Sequence, residues 1–208
     1  MLLVIASVLT PIEAAVLREA ACSLTFDDGR KTAGRFAAAV KANDQASPSP
    51  ELDVVLAKVE RALAANALFR SAARPKALTR LILSRYRVGQ TYGLHVDDAL
   101  MQGLRTDLSF TLFLAEPESY DGGALIIEDS FEARAIKLAP GDLILYPSTT
   151  LHRVEPVARG ERLAVVGWVQ SLIRNGEQRE ILFDLDQAVE ATHAAEGKTP
   201  QFDRLAKT

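Results

Sequence analysis

Apolar residues recur along this chain with two different periods. In the first third the spacing is helical: after Ser49 and Pro50, the residues Leu52, Val55, Leu56, Val59 and Leu63 share one face. Thr10-Pro11-Ile12-Glu13 carries a reciprocal capping pattern with proline at the first helical position, so a short helix is expected to run to about Ala21. The apolar residues 1–9 before it lack the positive start of a secretory leader and read as a first strand. From Leu78 the period drops to two. In 108–114, Leu108, Phe110, Leu112 and Leu114 lie on one face, while Ser109 and Thr111 share the other. Further strands are expected at 81–88, 124–127, 134–138, 143–146, 152–154 and 162–170. Turn signals separate them at Asp121-Gly122-Gly123, Pro140-Gly141-Asp142 and Arg159-Gly160, and Asp27-Asp28-Gly29-Arg30 reads as an earlier turn. Many short strands at this spacing point to a sandwich or barrel-like β fold with flanking helices. The tail returns to helix, with Ile181, Leu182, Leu185, Ala188 and Val189 expected on its packed face. Residues 1–175 are expected to form one domain, and residues 176–208 a helical extension packed on it.

Composition narrows the partners. The 208 residues suffice for one ordinary core, with 48% hydrophobic and 25% charged residues. A net charge of −3 with 24 scattered Lys and Arg gives no electrostatic reason to expect nucleic acid. A single cysteine excludes an internal disulfide and fits a reducing, cytoplasmic setting. Without metal or nucleophile context, Cys22 reads as a small core residue. No run approaches the roughly 20 apolar residues of a membrane span. Strand edges and the helical tail leave a homo-oligomer open.

Candidate chemistry rests on two of the three histidines. His95 and Asp97 are two apart, so on an extended strand they face the same way. His152 supplies a third ligand from a distant strand. Two imidazoles and one carboxylate on a single face leave coordination positions open, the arrangement of non-haem Fe(II) oxygenases. Arg162 follows His152 by ten residues on a strand whose face also carries Ala164, Val166 and Trp168. A buried Arg needs a partner. Either it forms a core ion pair, or its planar fork waits for a carboxylate ligand. His152 and Arg162 are expected on adjacent strands of a hairpin turning near Arg159-Gly160. At about 3.3 Å per residue, that offset leaves room for a short dicarboxylate between metal and guanidinium. Fe(II), Asp97, Arg162 and a dicarboxylic 2-oxo acid together are neutral. Tyr86 is either a half-buried strand tyrosine or a hydroxyl donor to a carboxylate in the pocket. Ser109 and Thr111 are either pocket groups or solvent-facing, and His193 reads as a surface histidine.

Beyond single residues, longer stretches resemble a known family. They include Arg85-Tyr86, Thr91-Tyr92-Gly93-Leu94-His95-Val96-Asp97, Arg105-Thr106-Asp107-Leu108-Ser109 and Tyr120-Asp121-Gly122-Gly123. Pro140-Gly141-Asp142-Leu143-Ile144-Leu145-Tyr146-Pro147-Ser148, Leu151-His152-Arg153-Val154-Glu155-Pro156-Val157 and Arg159-Gly160-Glu161-Arg162 continue the match. Gly167-Trp168-Val169-Gln170-Ser171 and Leu182-Phe183-Asp184-Leu185-Asp186 close it, and Asp28-Gly29-Arg30 with Thr32-Ala33-Gly34 fits as well. The pattern resembles the PKHD-type hydroxylases of the prolyl 4-hydroxylase-like group of Fe(II)- and 2-oxoglutarate-dependent dioxygenases. The resemblance implies a double-stranded β-helix (jelly-roll, cupin-like) core. It implies His95, Asp97 and His152 as iron ligands, Arg162 as anchor of the distal carboxylate of 2-oxoglutarate, and L-ascorbate as a reductant. It also implies oxidative decarboxylation to succinate coupled to C–H hydroxylation of a small-molecule or peptidyl substrate, and a link to iron homeostasis. One departure is Ala124, where the family usually has Glu; loss of a charge near the pocket rim is expected. The residues alone leave two alternatives, a metal- and 2-oxoglutarate-binding sensor without turnover and a cupin-like enzyme using another metal.

Overall fold

The computed structural model describes residues 1–34, 36–128 and 132–208. In chain order, β1 (Leu3–Ile5) leads to α1 (Pro11–Cys22), then β2 (Phe26–Asp28), β3 (Lys41–Ala42) and β4 (Asp44–Ala46). The helices α2 (Pro50–Ala65) and α3 (Ala67–Ala73) follow, then β5 (Pro75–Leu78), β6 (Ile82–Tyr86) and β7 (Thr91–His95). The central run holds β8 (Leu100–Met101), β9 (Leu104–Arg105), β10 (Leu108–Phe113), β11 (Asp121–Gly122), β12 (Leu125–Glu128) and β13 (Ala133–Ile136). It ends with β14 (Leu143–Pro147), β15 (His152–Val154), β16 (Val157–Arg159) and β17 (Arg162–Ser171), before α4 (Gly176–Glu196) and α5 (Pro200–Ala206).

The strands form two antiparallel main sheets. The larger runs β1-β14-β10-β17-β6-β4-β2, with β5 pairing the far end of β17. The smaller runs β13-β12-β15-β7-β3. This is a double-stranded β-helix with helices on one side. Alternation along the central strands of the large sheet assigns its two faces. Leu108, Phe110, Leu112, Leu145, Leu163 and Val165 enter a core completed by α1, α2 and α3, where the ring of Phe69 meets that of Phe110 edge-on at 5.9 Å. The opposite face carries Tyr86, Phe113, Ile144 and Tyr146, which pack on Leu125, Ile127 and Val154 of the small sheet. This second core separates the sheets. It is smaller and interrupted by polar side chains, and the site lies among them.

Local signals act as expected at several ends. Thr10 and Glu13 form the reciprocal cap of α1, and Ser49 caps α2. Gly122, Gly123, Gly141 and Gly160 all take positive φ at the three later turns, a conformation that strains any residue with a Cβ. Three expectations fail. Cys22 is exposed, because the buried side of α1 is Ala14, Leu17 and Ala21, and the next position turns outward. On α4, Arg179 and Phe183 are buried and Ile181 is 65% exposed. That helix is oriented by Asp186, which accepts from Ser71 at 2.6 Å and Arg74 at 2.7 Å. Ala124 is buried and off the cavity wall, so its replaced charge is not at the rim. His193 is exposed as expected, with its ring against Phe202. No described helix is long and apolar enough to cross a membrane.

Candidate metal centre and co-substrate pocket

His95 ends β7 and pairs in register with His152 at the start of β15. Asp97 follows two residues later, its backbone N–H donating to Ser148 O at 3.3 Å. Ligand atoms of all three lie within 4.8 Å of one another. The Nε2 atoms of His95 and His152 stand 4.0 and 3.8 Å from the Asp97 carboxylate oxygens. Each imidazole is held from behind. His95 Nδ1 is 2.8 Å from Gly93 O, and His152 Nδ1 is 2.9 Å from Thr150 O. A carbonyl can only accept, so both Nδ1 atoms carry the proton and both Nε2 lone pairs face the ion position. Asp97 is held likewise: Ser109 Oγ donates to Oδ2 at 2.5 Å, and Ser148 Oγ, 2.8 Å from Ser109 Oγ, supplies the hydroxyl behind it. Burial, joined by neighbouring His152, pushes the His95 imidazole down to about 4, so it is neutral at pH 7 as ligation requires. The donor set fits Fe(II).

Ser109 and Thr111 are buried and face this cavity rather than solvent. Aromatic rings enclose the imidazoles. Tyr92 stacks on His95 at 3.7 Å and 18°, and Tyr146 meets His152 edge-on at 5.1 Å. Sequence reasoning did not single out Tyr92, Tyr146 or Ser148. Only their places beside the His-x-Asp stretch and before His152 could have flagged them.

Arg162 lines the same cavity, which has a volume of about 500 Å³. It is 1% exposed, with its guanidinium carbon 5.1 Å from the Tyr86 ring centroid and 5.4 Å from that of Phe113. Its Nε has no hydrogen-bond partner, and among the described residues no carboxylate lies within 4 Å. The expected core ion pair is therefore not formed by the described residues. A buried fork of donors without an anion is what a ligand carboxylate would complete, so the pocket fits 2-oxoglutarate. Tyr86 pairs with Arg162 across β6 and β17. It is 4% exposed rather than half-buried, and burial raises its phenol above the ordinary range, keeping it a neutral donor.

The expected hairpin between His152 and Arg162 is not formed. β15 pairs β12 and β7 in the small sheet, while β17 pairs β6, β10 and β5 in the large one. The turn at Gly160, where a Cβ would stand 2.1 Å from Ser119 O, carries the chain from β16, which pairs with β11, into β17 of the large sheet. His152 and Arg162 thus face each other across the space between the sheets, not along one of them.

A double-stranded β-helix with two imidazoles and a carboxylate at one end of its interior defines an Fe(II)-dependent oxygenase of the 2-oxoglutarate class. The model of the 2OG-Fe(II) oxygenase superfamily matches residues 81–170. The fold is similar to a Pseudomonas putida prolyl-4-hydroxylase, with TM-score 0.58 and 19% identity over 82% of this chain and 92% of that one. It is also similar to HygX from Streptomyces hygroscopicus, solved with nickel and 2-oxoglutarate bound, with TM-score 0.59 and 14% identity over 83% of each chain. Sequence relatives are nearer. A PKHD-type hydroxylase of Maricaulis maris is 55% identical over 88% of this chain and 84% of its own, and one of Gloeothece citriformis is 45% identical over 100% and 96%. The chain belongs to the PKHD-type hydroxylases. It is a 2-oxoglutarate-dependent dioxygenase that requires Fe(II) as cofactor and 2-oxoglutarate as co-substrate.

Proposed function

We propose that His95, Asp97 and His152 hold the Fe(II), that Arg162 and Tyr86 take the distal carboxylate of 2-oxoglutarate, and that the reaction is hydroxylation of a C–H bond. The observation that carries this reading is the buried guanidinium of Arg162, without a carboxylate partner among the described residues, in one cavity with the His95, Asp97 and His152 triad. When bound, the iron supplies dioxygen activation, with 2-oxoglutarate and O₂ converted to succinate and CO₂ while one oxygen atom enters the substrate C–H bond.

The chain's own residues orient and protect. The carbonyls of Gly93 and Thr150 fix the two imidazole tautomers, and Ser109 fixes the carboxylate. Arg162 neutralises one charge of the co-substrate and sets its direction, with the rings of Tyr86 and Phe113 packed about its guanidinium. We infer further that L-ascorbate restores oxidised iron, and that the substrate is a small molecule or a peptidyl residue. We place the enzyme in the cytoplasm, without a nucleic-acid partner, and in iron homeostasis on the family resemblance. The decisive assay is succinate release from 2-oxoglutarate under air. The wild type should release succinate even without substrate, and Asp97→Ala and His152→Ala should not. Succinate formed by Asp97→Ala at the wild-type rate would refute the ligand assignment.

A further inference from the structure

A second cation is buried in this cavity, and nothing in the site described so far uses it. Lys41 opens β3 and is 7% exposed. β3 pairs with β7 so that Lys41 stands opposite Tyr92. Gly93 permits this approach: a Cβ there would stand 2.7 Å from Val40 Cβ. The Tyr92 ring then links two groups, with the His95 imidazole stacked at 3.7 Å and the Lys41 Nζ 4.9 Å from its centroid. Nζ is therefore no farther from the His95 ring centroid than those two distances laid end to end.

The ammonium has few partners. It donates to Thr32 Oγ1 at a long 3.4 Å, and Thr32 in turn gives its own hydrogen to Gln45 Oε1 at 2.6 Å. Among the described residues no carboxylate lies within 4 Å of Nζ, so most of its three donors lack a protein acceptor. Burial lowers the amine to about 8 against the opposing fields of Asp97 and Asp28, as befits a cation short of counter-charge. Asp28 is itself engaged by Arg30.

Charge bookkeeping gives the ammonium a purpose. The ion and Arg162 are cancelled by Asp97 and the two carboxylates of 2-oxoglutarate. Of the other charged side chains lining the cavity, Arg80 and Asp98 are exposed and Arg80 pairs with Asp53, so Lys41 is the buried charge left without a counter-ion among the described residues. We propose that Lys41 anchors a carboxylate of the primary substrate, so that the molecule hydroxylated here is an acid whose target C–H lies between that carboxylate and the metal. This rests on the reading above, in which the triad and Arg162 are already occupied by iron and co-substrate.

The test uses the whole enzyme with Fe(II) and 2-oxoglutarate, without oxygen. Lys41 is methylated with formaldehyde and a borane reductant and followed by peptide mass spectrometry. The probes are acetate, propionate and N-acetylglycine, each paired with its neutral amide. At an acid concentration ten times its Kd, about a tenth of the sites are empty, and Lys41 labelling should slow about tenfold. The amides should not protect, and the other lysines should label at an unchanged rate. In Lys41→Gln, acid-induced change of the visible Fe(II)–2-oxoglutarate band should need about tenfold more acid or more, and Lys41→Arg should restore most of it. Equal protection by acids and amides, or protection by no acid, overturns the proposal, and the labelling arm needs no variant to fold. Absence of the visible band from the wild type is a separate failure. It removes the iron and co-substrate reading, and this inference with it.

Discussion

Replacing Arg162 with methionine should move stability in opposite directions with and without co-substrate. In the free protein the guanidinium is 1% exposed, among the described residues it meets the faces of Tyr86 and Phe113, and its Nε is unsatisfied there. A flexible apolar side chain of similar length removes that burden. Swapping buried ionic groups for apolar ones of like volume is neutral or stabilising by about 1–4 kcal/mol, so the unliganded variant should melt no lower than the wild type. With 2-oxoglutarate the order reverses. Losing one partner of a buried, hydrogen-bonded charge pair costs about 2–5 kcal/mol, which weakens 2-oxoglutarate binding roughly 30-fold to a few thousand-fold. At about 100 times its Kd, the co-substrate stabilises the wild type by about 2.7 kcal/mol, or roughly 5–11 °C in a chain of this size. At the same concentration the variant retains at most about 0.9 kcal/mol, roughly 2–4 °C. Thermal melts with Mn(II), with and without 2-oxoglutarate, read both quantities. An unliganded variant melting about 10 °C below the wild type, or an undiminished co-substrate shift, would make Arg162 a structural cation and refute the reasoning.

Other perturbations test separate parts. Ser109→Ala removes the 2.5 Å donor to Asp97 and should weaken Fe(II) binding about 10- to 100-fold, as read by metal titration. The metal-free protein should lose stability as pH falls from about 6.5 to about 4: the folded His95 binds its proton only near 4, so the unfolded chain holds more protons across that window. Melting temperatures across that range should fall for the wild type and fall less steeply for His95→Gln. Gly167→Ala places a Cβ 2.6 Å from Leu81 Cδ2 and 2.7 Å from Phe110 Cζ, which should cost about 1–3 kcal/mol in urea unfolding, with the m-value unchanged.

The parts of this structure governed by short-range rules were open to reading. The alternation of 108–114 became β10, with Ser109 and Thr111 on the interior face, and the cap at Thr10 opened α1 as expected. His95 and Asp97 met on one side because strand geometry leaves little choice. What escaped depended on pairing between distant segments. The turn at Gly160 looked like a hairpin, yet Val157–Arg159 pairs with Asp121–Gly122 and the chain then changes sheets. Lys41 carries no local mark, and its role in the cavity comes from β3 joining β7 fifty residues on. Cys22 and Ile181 show a further limit. One residue of helical phase, fixed by partners such as Asp186 with Arg74, separates core from surface.

Anaerobic titration of Fe(II) into the protein with saturating 2-oxoglutarate tests the centre most directly. One equivalent of metal should complete a visible charge-transfer band in the wild type, and Asp97→Ala should show none at the same concentrations. A band of full strength in Asp97→Ala, or a wild type that stays colourless, would contradict the assignment of His95, Asp97 and His152 as the iron site.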